Sequence, residues 1–245
     1  MVMVAEEIPA VEEFLSQGLI RSVESIIKTG KEASAYLCRG APLLGARFAV
    51  AKVYHERSRR NFANSSVYEE GRVILNGQVR RAVNGKTATG RKFQSAMWVN
   101  QEFDTLCALA DAGADVPAPY ASSEGAILME YLGDGSTAAP QLQQVALEPA
   151  LAIETRDRLL WNVELWLANN IVHGDLSPYN VLLWKNRATA IDFPQAVDPR
   201  FAPASRTLLG RDIKNLARYF ERHGAGFDAE AHADDLWERF KYQRL

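Results

Sequence analysis

Near the start of the chain Ile8, Val11 and Leu15 fall at helical spacing and stop at Gly18, which predicts a short helix closed by a glycine C-cap. The pattern then changes period. Arg21 to Lys28, Ser34 to Cys38 and Phe48 to Tyr54 are short and rich in β-branched or aromatic residues, with breaks at Gly30 and at the Gly40, Pro42 and Gly45 stretch. Three antiparallel strands are the simplest arrangement. Helical spacing returns at Val99, Phe103, Leu106, Cys107 and Ala110 and ends near Gly113, before the Pro117-Ala118-Pro119 break. Ala126 to Tyr131 reads as a buried strand, and the Gly133-Asp134-Gly135 turn behind it marks a boundary. Beyond that turn the stripes are helical: Leu159, Leu160, Val163, Trp166 and Leu167, then Leu209, Ile213, Leu216 and Phe220, then Leu236, Trp237 and Phe240. The expected fold class is α+β. A strand-rich part, residues 1–132, carries an antiparallel sheet and one main helix, and a mostly helical part covers 133–245.

Composition adds limits. A chain of 245 residues, 47% hydrophobic and 24% charged, can bury a substantial core and is not expected to be globally disordered. No apolar run approaches the ~20 residues that span a bilayer, and Glu6 and Glu7 stand where a signal peptide would carry positive charge. A cytoplasmic location without membrane contact is expected. Cys38 and Cys107 lack a second thiol or a histidine at ligand spacing, so both read as buried thiols, not as a disulfide or zinc site. The net charge of −2 is unevenly spread, because residues 57–97 hold nine Lys and Arg against Glu69 and Glu70. That stretch is read as a flexible basic loop, either simply solvated or a patch for phosphate-rich partners.

The chemistry concentrates in His173-Gly174-Asp175-Leu176-Ser177-Pro178-Tyr179-Asn180, followed by Ile191-Asp192. An Asp, an Asn five residues on and a second Asp twelve further on is the spacing of a kinase catalytic loop and metal-binding loop. One carboxylate must accept or orient the proton of an attacking hydroxyl. An amide oxygen and a second carboxylate must hold the magnesium that screens the phosphates. Asp175, Asn180 and Asp192 supply that set. Asp and Asn are common turn formers, but agreement at three positions outweighs that reading. Ser177 is read as a loop hydrogen-bonding group, and His173 as a brace.

Upstream, Lys28-Thr29-Gly30-Lys31-Glu32-Ala33-Ser34-Ala35-Tyr36 lies between two strand candidates, where a phosphate-covering turn would sit. With one glycine it is on its own as much a plain hairpin turn as an ATP loop. Ala49-Val50-Ala51-Lys52 puts a lysine in an apolar strand, where an ammonium needs phosphate or carboxylate. Glu102 on the next helix is the matching carboxylate, and the order along the chain favours the pair.

In that order the chain resembles the RIO family of atypical protein kinases, and within it the first subfamily, which lacks a winged-helix domain. The resemblance runs from Ile20 to Phe220 through Thr29-Gly30-Lys31-Glu32-Ala33 with Tyr36, Ala51-Lys52-Val53-Tyr54, Trp98 with Glu102, Met129-Glu130-Tyr131-Leu132-Gly133, His173 to Asn180, Ile191-Asp192 with Gln195, and Leu208-Leu209 with Arg211-Asp212-Ile213. It implies a two-lobed kinase fold with a hinge at 129–132. It also implies that Lys28, Gly30, Lys31, Ser34 and Lys52 surround the ATP phosphates with Glu102 behind them, and that Glu130 and Leu132 offer backbone to adenine. Asp175 is then the catalytic aspartate, Asn180 and Asp192 hold Mg2+ or Mn2+, and Asp212 anchors the catalytic loop. The resemblance adds that Asp192 could itself take the phosphoryl group. The expected substrate is a protein, the chain itself included.

Two other functions share parts of this pattern. Aminoglycoside- and choline-type kinases also read His-Gly-Asp-Leu and Ile-Asp-Phe, but the 53 residues after Asp192 leave little chain for an acceptor-holding helical subdomain. A nucleotide-switched assembly factor would use the basic loop to meet ribosomal RNA or a pre-ribosomal particle.

Overall fold

The computed structural model describes residues 8–55 and 88–245, with side chains from Val99 onward in the second stretch. Most of the basic loop expected at 57–97 lies outside the described residues. Its last ten residues are helical instead, because the helix expected from Val99 begins at Ala88. Ala88, Arg91, Lys92, Gln94, Ala96 and Met97 are strong helix formers that a search for an apolar stripe passes over.

Two compact units divide the described chain, and the division differs from a single cut after Leu132. Residues 8–55, 88–107 and Pro117–Ala138 belong to the first; Ala108–Val116 and Ala139–Leu245 belong to the second.

The first unit opens with helix α1 (Pro9–Ser16). Gly18 ends it at φ 69°, with Gly18 N–H donating to Leu15 O at 3.0 Å and Leu19 N–H to Phe14 O at 3.0 Å. This is a Schellman cap, which the glycine permits. Strands β1 (Ile20–Thr29), β2 (Ala33–Gly40) and β3 (Phe48–Tyr54) follow, then helix α2 (Ala88–Asp111) and strands β4 (Pro119–Ser122) and β5 (Ala126–Glu130). All pairings are antiparallel, in the order β1-β2-β3-β5-β4. The proline-rich break hid β4, which is legal for Pro119 because the strand lies at the sheet edge.

Strand alternation sorts β3 into two faces. Ala49 and Ala51 join Val11, Phe14, Val23 and Leu128 in the core beneath α1. Phe48, Val50, Lys52 and Tyr54 take the other face, so the lysine is placed there by register alone.

The second unit holds helix α3 (Pro149–Ala168), strands β6 (Val181–Trp184) and β7 (Arg187–Ala190), and helices α4 (Ser205–Glu221) and α5 (Ala229–Lys241). Lys185 and Asn186, at φ 49° and 64°, close the β6–β7 hairpin in the two-residue form that suits strand twist. Buried Asp115, on the segment Ala108–Val116, is bonded by side chains from three directions. Arg158 Nε donates to it at 2.5 Å, Asn162 Nδ2 at 2.8 Å and Arg187 Nε at 3.2 Å. Burial pushes its carboxyl up, but the bonds from Arg158 and Asn162 and the two guanidinium charges hold it below the usual range.

Candidate active site

The catalytic loop of the second unit leaves α3 and runs from His173 to a single 3-10 turn, Pro178–Asn180, before β6 begins. Its backbone is held from α4. Asp212, 2% exposed, accepts from Gly174 N–H at 2.8 Å and from Leu176 N–H at 2.9 Å. Asn215, one turn along α4, donates to Leu176 O at 3.0 Å, and Arg211 donates to Gly174 O. Burial pushes the Asp212 carboxyl up to about 7, against the opposing pull of its two backbone donors and of Arg211. Gly174 sits at φ 78°, and a Cβ there would stand 2.6 Å from Gln195 O, so no side chain fits.

His173 braces the loop in one tautomer. Its Nδ1 faces the Asp175 N–H at 3.3 Å, so it accepts, and its Nε2 then carries the proton that reaches Ile191 O at 3.2 Å. The ring also packs on Phe193, centroids 4.5 Å apart, and Phe193 meets Trp166 edge-on at 5.5 Å. The residues flanking Asp192 are therefore fixed on both sides. Asp192 itself takes φ 73°, a left-handed conformation that a non-glycine residue holds at a cost and that clusters at functional sites.

Asn180 donates its Nδ2 to Asp175 O at 2.9 Å and is 3.4 Å from Asp175 Oδ2. That commitment orients the amide and leaves Oδ1 as its acceptor end. Asp175 is held above the usual carboxylate range by burial and by the charge of Asp192, with Arg211 and Asn180 pulling the other way. Two neighbouring carboxylates beside an amide oxygen form a donor set for a hard divalent cation. The set suits magnesium, which takes one or two protein carboxylates and completes its shell from water and phosphate.

In the first unit, Lys52 Nζ donates to both oxygens of Glu102, at 2.8 and 3.0 Å, and lies 5.1 Å from the centre of the Tyr54 ring. Glu102 is 1% exposed, so the pair the sequence predicts is formed and largely desolvated. Gly30 and Lys31 lie in the β1–β2 turn, where Gly30 N–H donates to Ala33 O at 2.9 Å. Ser34 is buried at the start of β2, whereas Lys28 is exposed on β1. Glu130 spends its own N–H on Ala118 O at 2.8 Å and accepts Ala118 N–H on Oε2 at 3.2 Å. Leu132 is buried. Neither cysteine forms a disulfide; Cys38 is buried as expected, whereas Cys107 is only half-buried, and burial pushes the Cys38 thiol up to about 12, an inert form.

Sequence reasoning missed His55 and Asn215 and gave Arg211 no role. The spacing of Asn215 from Asp212, three residues on one helix, was the available signal for the second.

A kinase-type catalytic loop, a metal-loop aspartate and a lysine–glutamate pair define a phosphotransferase of the protein-kinase class. The RIO domain family matches residues 42–233, and the chain belongs to that family. It is 31% identical over 230 residues to the RIO-type serine/threonine-protein kinase Rio1 of Haloferax volcanii, covering 94% of this chain and 72% of that one. Over 134 residues it is 34% identical to Rio1 of Thermoplasma acidophilum, covering 55% and 69%. It spans 41% of the Schizosaccharomyces pombe kinase rio1, at 29% identity over 87% of this chain. Among solved structures, the Rio2 kinase of Chaetomium thermophilum in an ADP/Mg2+-phosphoaspartate complex shares the fold, with TM-score 0.64 over 96% of this chain and 76% of that one at 20% identity. The chain is accordingly an ATP-dependent RIO-type serine/threonine kinase with a kinase-like α+β fold. The named relatives are all protein kinases, which disfavours the small-molecule reading. No described helix is long and apolar enough to cross a membrane.

Proposed function

We propose that Asp175 is the catalytic aspartate, that Asn180 Oδ1 and the Asp192 carboxylate hold a magnesium ion, and that Asp192 also receives the phosphoryl group. The observation that carries this is the strained left-handed backbone of Asp192, braced by His173 and Phe193, beside a carboxyl whose ionisation it opposes. A bound cation would supply charge neutralisation between carboxylate and phosphate. An Asp192 oxygen attacks the γ-phosphorus, the bond to the bridging oxygen breaks, and ADP leaves. Water then cleaves the acyl phosphate to release inorganic phosphate, or a hydroxyl acceptor gives its proton to Asp175 and takes the phosphoryl group. The Rio2 kinase of Chaetomium thermophilum, solved as a phosphoaspartate complex, supports this reading.

On the same reading Lys52, placed by Glu102, and the turn bearing Lys28, Gly30, Lys31 and Ser34 bind the phosphates, while the Glu130 carbonyl and Leu132 backbone meet adenine. The basic residues within 57–97 would favour ribosomal RNA or a pre-ribosomal particle as partner, in the cytoplasm. Protein incubated with labelled ATP and Mg2+ and then treated with hydroxylamine tests the central step. Label should be released from the wild type and absent from Asp192→Asn. Label that resists hydroxylamine and persists in Asp192→Asn would leave Asp192 a metal ligand alone.

A further inference from the structure

His55, directly after β3, takes no part in the chemistry above, yet it makes three contacts with the β1–β2 turn. Its backbone N–H donates to Glu32 O at 2.8 Å, its Nδ1 lies 3.3 Å from Lys31 O, and its Nε2 lies 2.9 Å from Ser34 Oγ. A carbonyl can only accept, so Nδ1 carries a proton. In the neutral ring Nε2 is then bare and the Ser34 hydroxyl donates to it. The next neighbour of that hydroxyl, Thr29 Oγ1, is 3.5 Å away, so His55 is its main partner.

The two carbonyls matter more than the hydroxyl. In an extended strand successive carbonyls point to opposite sides, but those of Lys31 and Glu32 both turn toward His55. Both carbonyls of the turn are therefore committed to His55, one to its backbone and one to its ring, and the turn is fixed against the end of β3.

We propose that His55 is a positioning residue for ATP: it ties the Lys31 and Glu32 carbonyls and the Ser34 hydroxyl to the end of β3 and so fixes the turn over the phosphates. This rests on the reading that the turn covers the phosphates. Without the imidazole the Lys31 carbonyl and the Ser34 hydroxyl lose the contacts that set the turn.

The test compares ATP and adenosine, since adenosine lacks phosphates. His55→Ala is expected to raise the KM for ATP about tenfold, the scale of one or two lost hydrogen bonds, with kcat changed far less and adenosine affinity unchanged. His55→Gln can still reach Ser34, and His55→Asn can still donate to Lys31 O; each should recover part of the loss. Melting without nucleotide checks that the variants fold, and Gln, being conservative, keeps the test open if Ala does not. Gly30→Pro, which removes the N–H bonded to Ala33 O, asks the separate question of whether the turn meets phosphate at all. If Gly30→Pro weakens ATP but not adenosine while His55→Ala leaves both unchanged, the turn binds phosphate and the role given to His55 is wrong. If neither variant alters the ATP-to-adenosine ratio, the phosphate-turn reading falls and takes the proposal with it. Equal losses for ATP and adenosine in His55→Ala would show a general structural effect and also overturn it.

Discussion

In the first unit Lys52 is placed by a side-chain ion pair with Glu102, whereas in the second the loop bearing Asp175 is held through its own backbone by Asp212, Asn215 and Arg211. On the proposed roles the difference follows from what each group must do. A lysine that holds phosphate while a carboxylate keeps it in place needs its charged end fixed, and a side-chain ion pair does that. A carboxylate that must meet a hydroxyl within hydrogen-bond reach needs a frame that does not move, and buried N–H bonds to a fixed acceptor supply one.

The comparison breaks most severely at Asp212. Asp212→Ala orphans two buried N–H groups, each costing about 1–3 kcal/mol, so stability should fall by about 2–5 kcal/mol and kcat by at least about 100-fold. Denaturant melts and steady-state kinetics read both. If kcat fell while stability held, Asp212 would be acting on the chemistry and not on the frame.

Next in size is the ion pair. Lys52→Met removes the ammonium that donates to both oxygens of the buried Glu102 carboxylate, which should cost stability as well as about 100-fold in kcat/KM. Glu102→Gln added to Lys52→Met should restore the stability and none of the activity. A loss in the double variant equal to the summed single losses would mean that the contact has no energetic coupling.

How much of this was legible beforehand follows the same division. Lys52 and Glu102 could be paired from sequence because a cation in an apolar strand requires an anion, and the helix after it offers Glu102 with apolar neighbours at helical spacing. Asp175, Asn180 and Asp192 were legible because their spacing is that of a kinase catalytic loop and metal-binding loop. The frame was not. Asp212 was named only through the family resemblance, Asn215 had no signal beyond its spacing from Asp212, and His55 had none. A side chain bonded to a backbone N–H or carbonyl leaves no complementary residue type to find. In the fold, the long apolar stripes of α3 and α4 gave those helices away. The strand β4 and the first ten residues of α2 did not, because one contains a proline and the other lacks an apolar face.

A smaller effect belongs to Asp115, which joins Ala108–Val116 to α3 and β7 within the second unit. Arg158 and Arg187 are about half exposed, at 48% and 57%, so solvent screens much of their attraction. Asp115→Asn should cost about 1–2 kcal/mol and leave the KM for ATP unchanged. A raised KM would give this cluster a functional role that its position does not suggest.

The smallest expected effect separates the two buried aspartates of the second unit by sign. The Asp212 pKa is raised from its ordinary 3.8 to about 7, so the folded state binds the proton more tightly than the unfolded state does. Its contribution is fully present below pH 3.8 and is lost as pH rises through about 7. Asp115 is shifted down, so its contribution is present above its unfolded pKa and lost as pH falls through the folded one. Between pH 6 and 8 the wild type should therefore lose about 1 kcal/mol of stability relative to Asp212→Asn, the worth of one proton released across that window. Referencing to the variant cancels the contributions of the other titrating groups. Asp115→Asn should show no such slope there and should differ from wild type only in acid. A wild-type curve parallel to that of Asp212→Asn across pH 6 to 8 would mean that the two N–H donors and Arg211 already outweigh burial. Asp212 would then be an ordinary ionised anchor, and the contrast between the two aspartates would disappear.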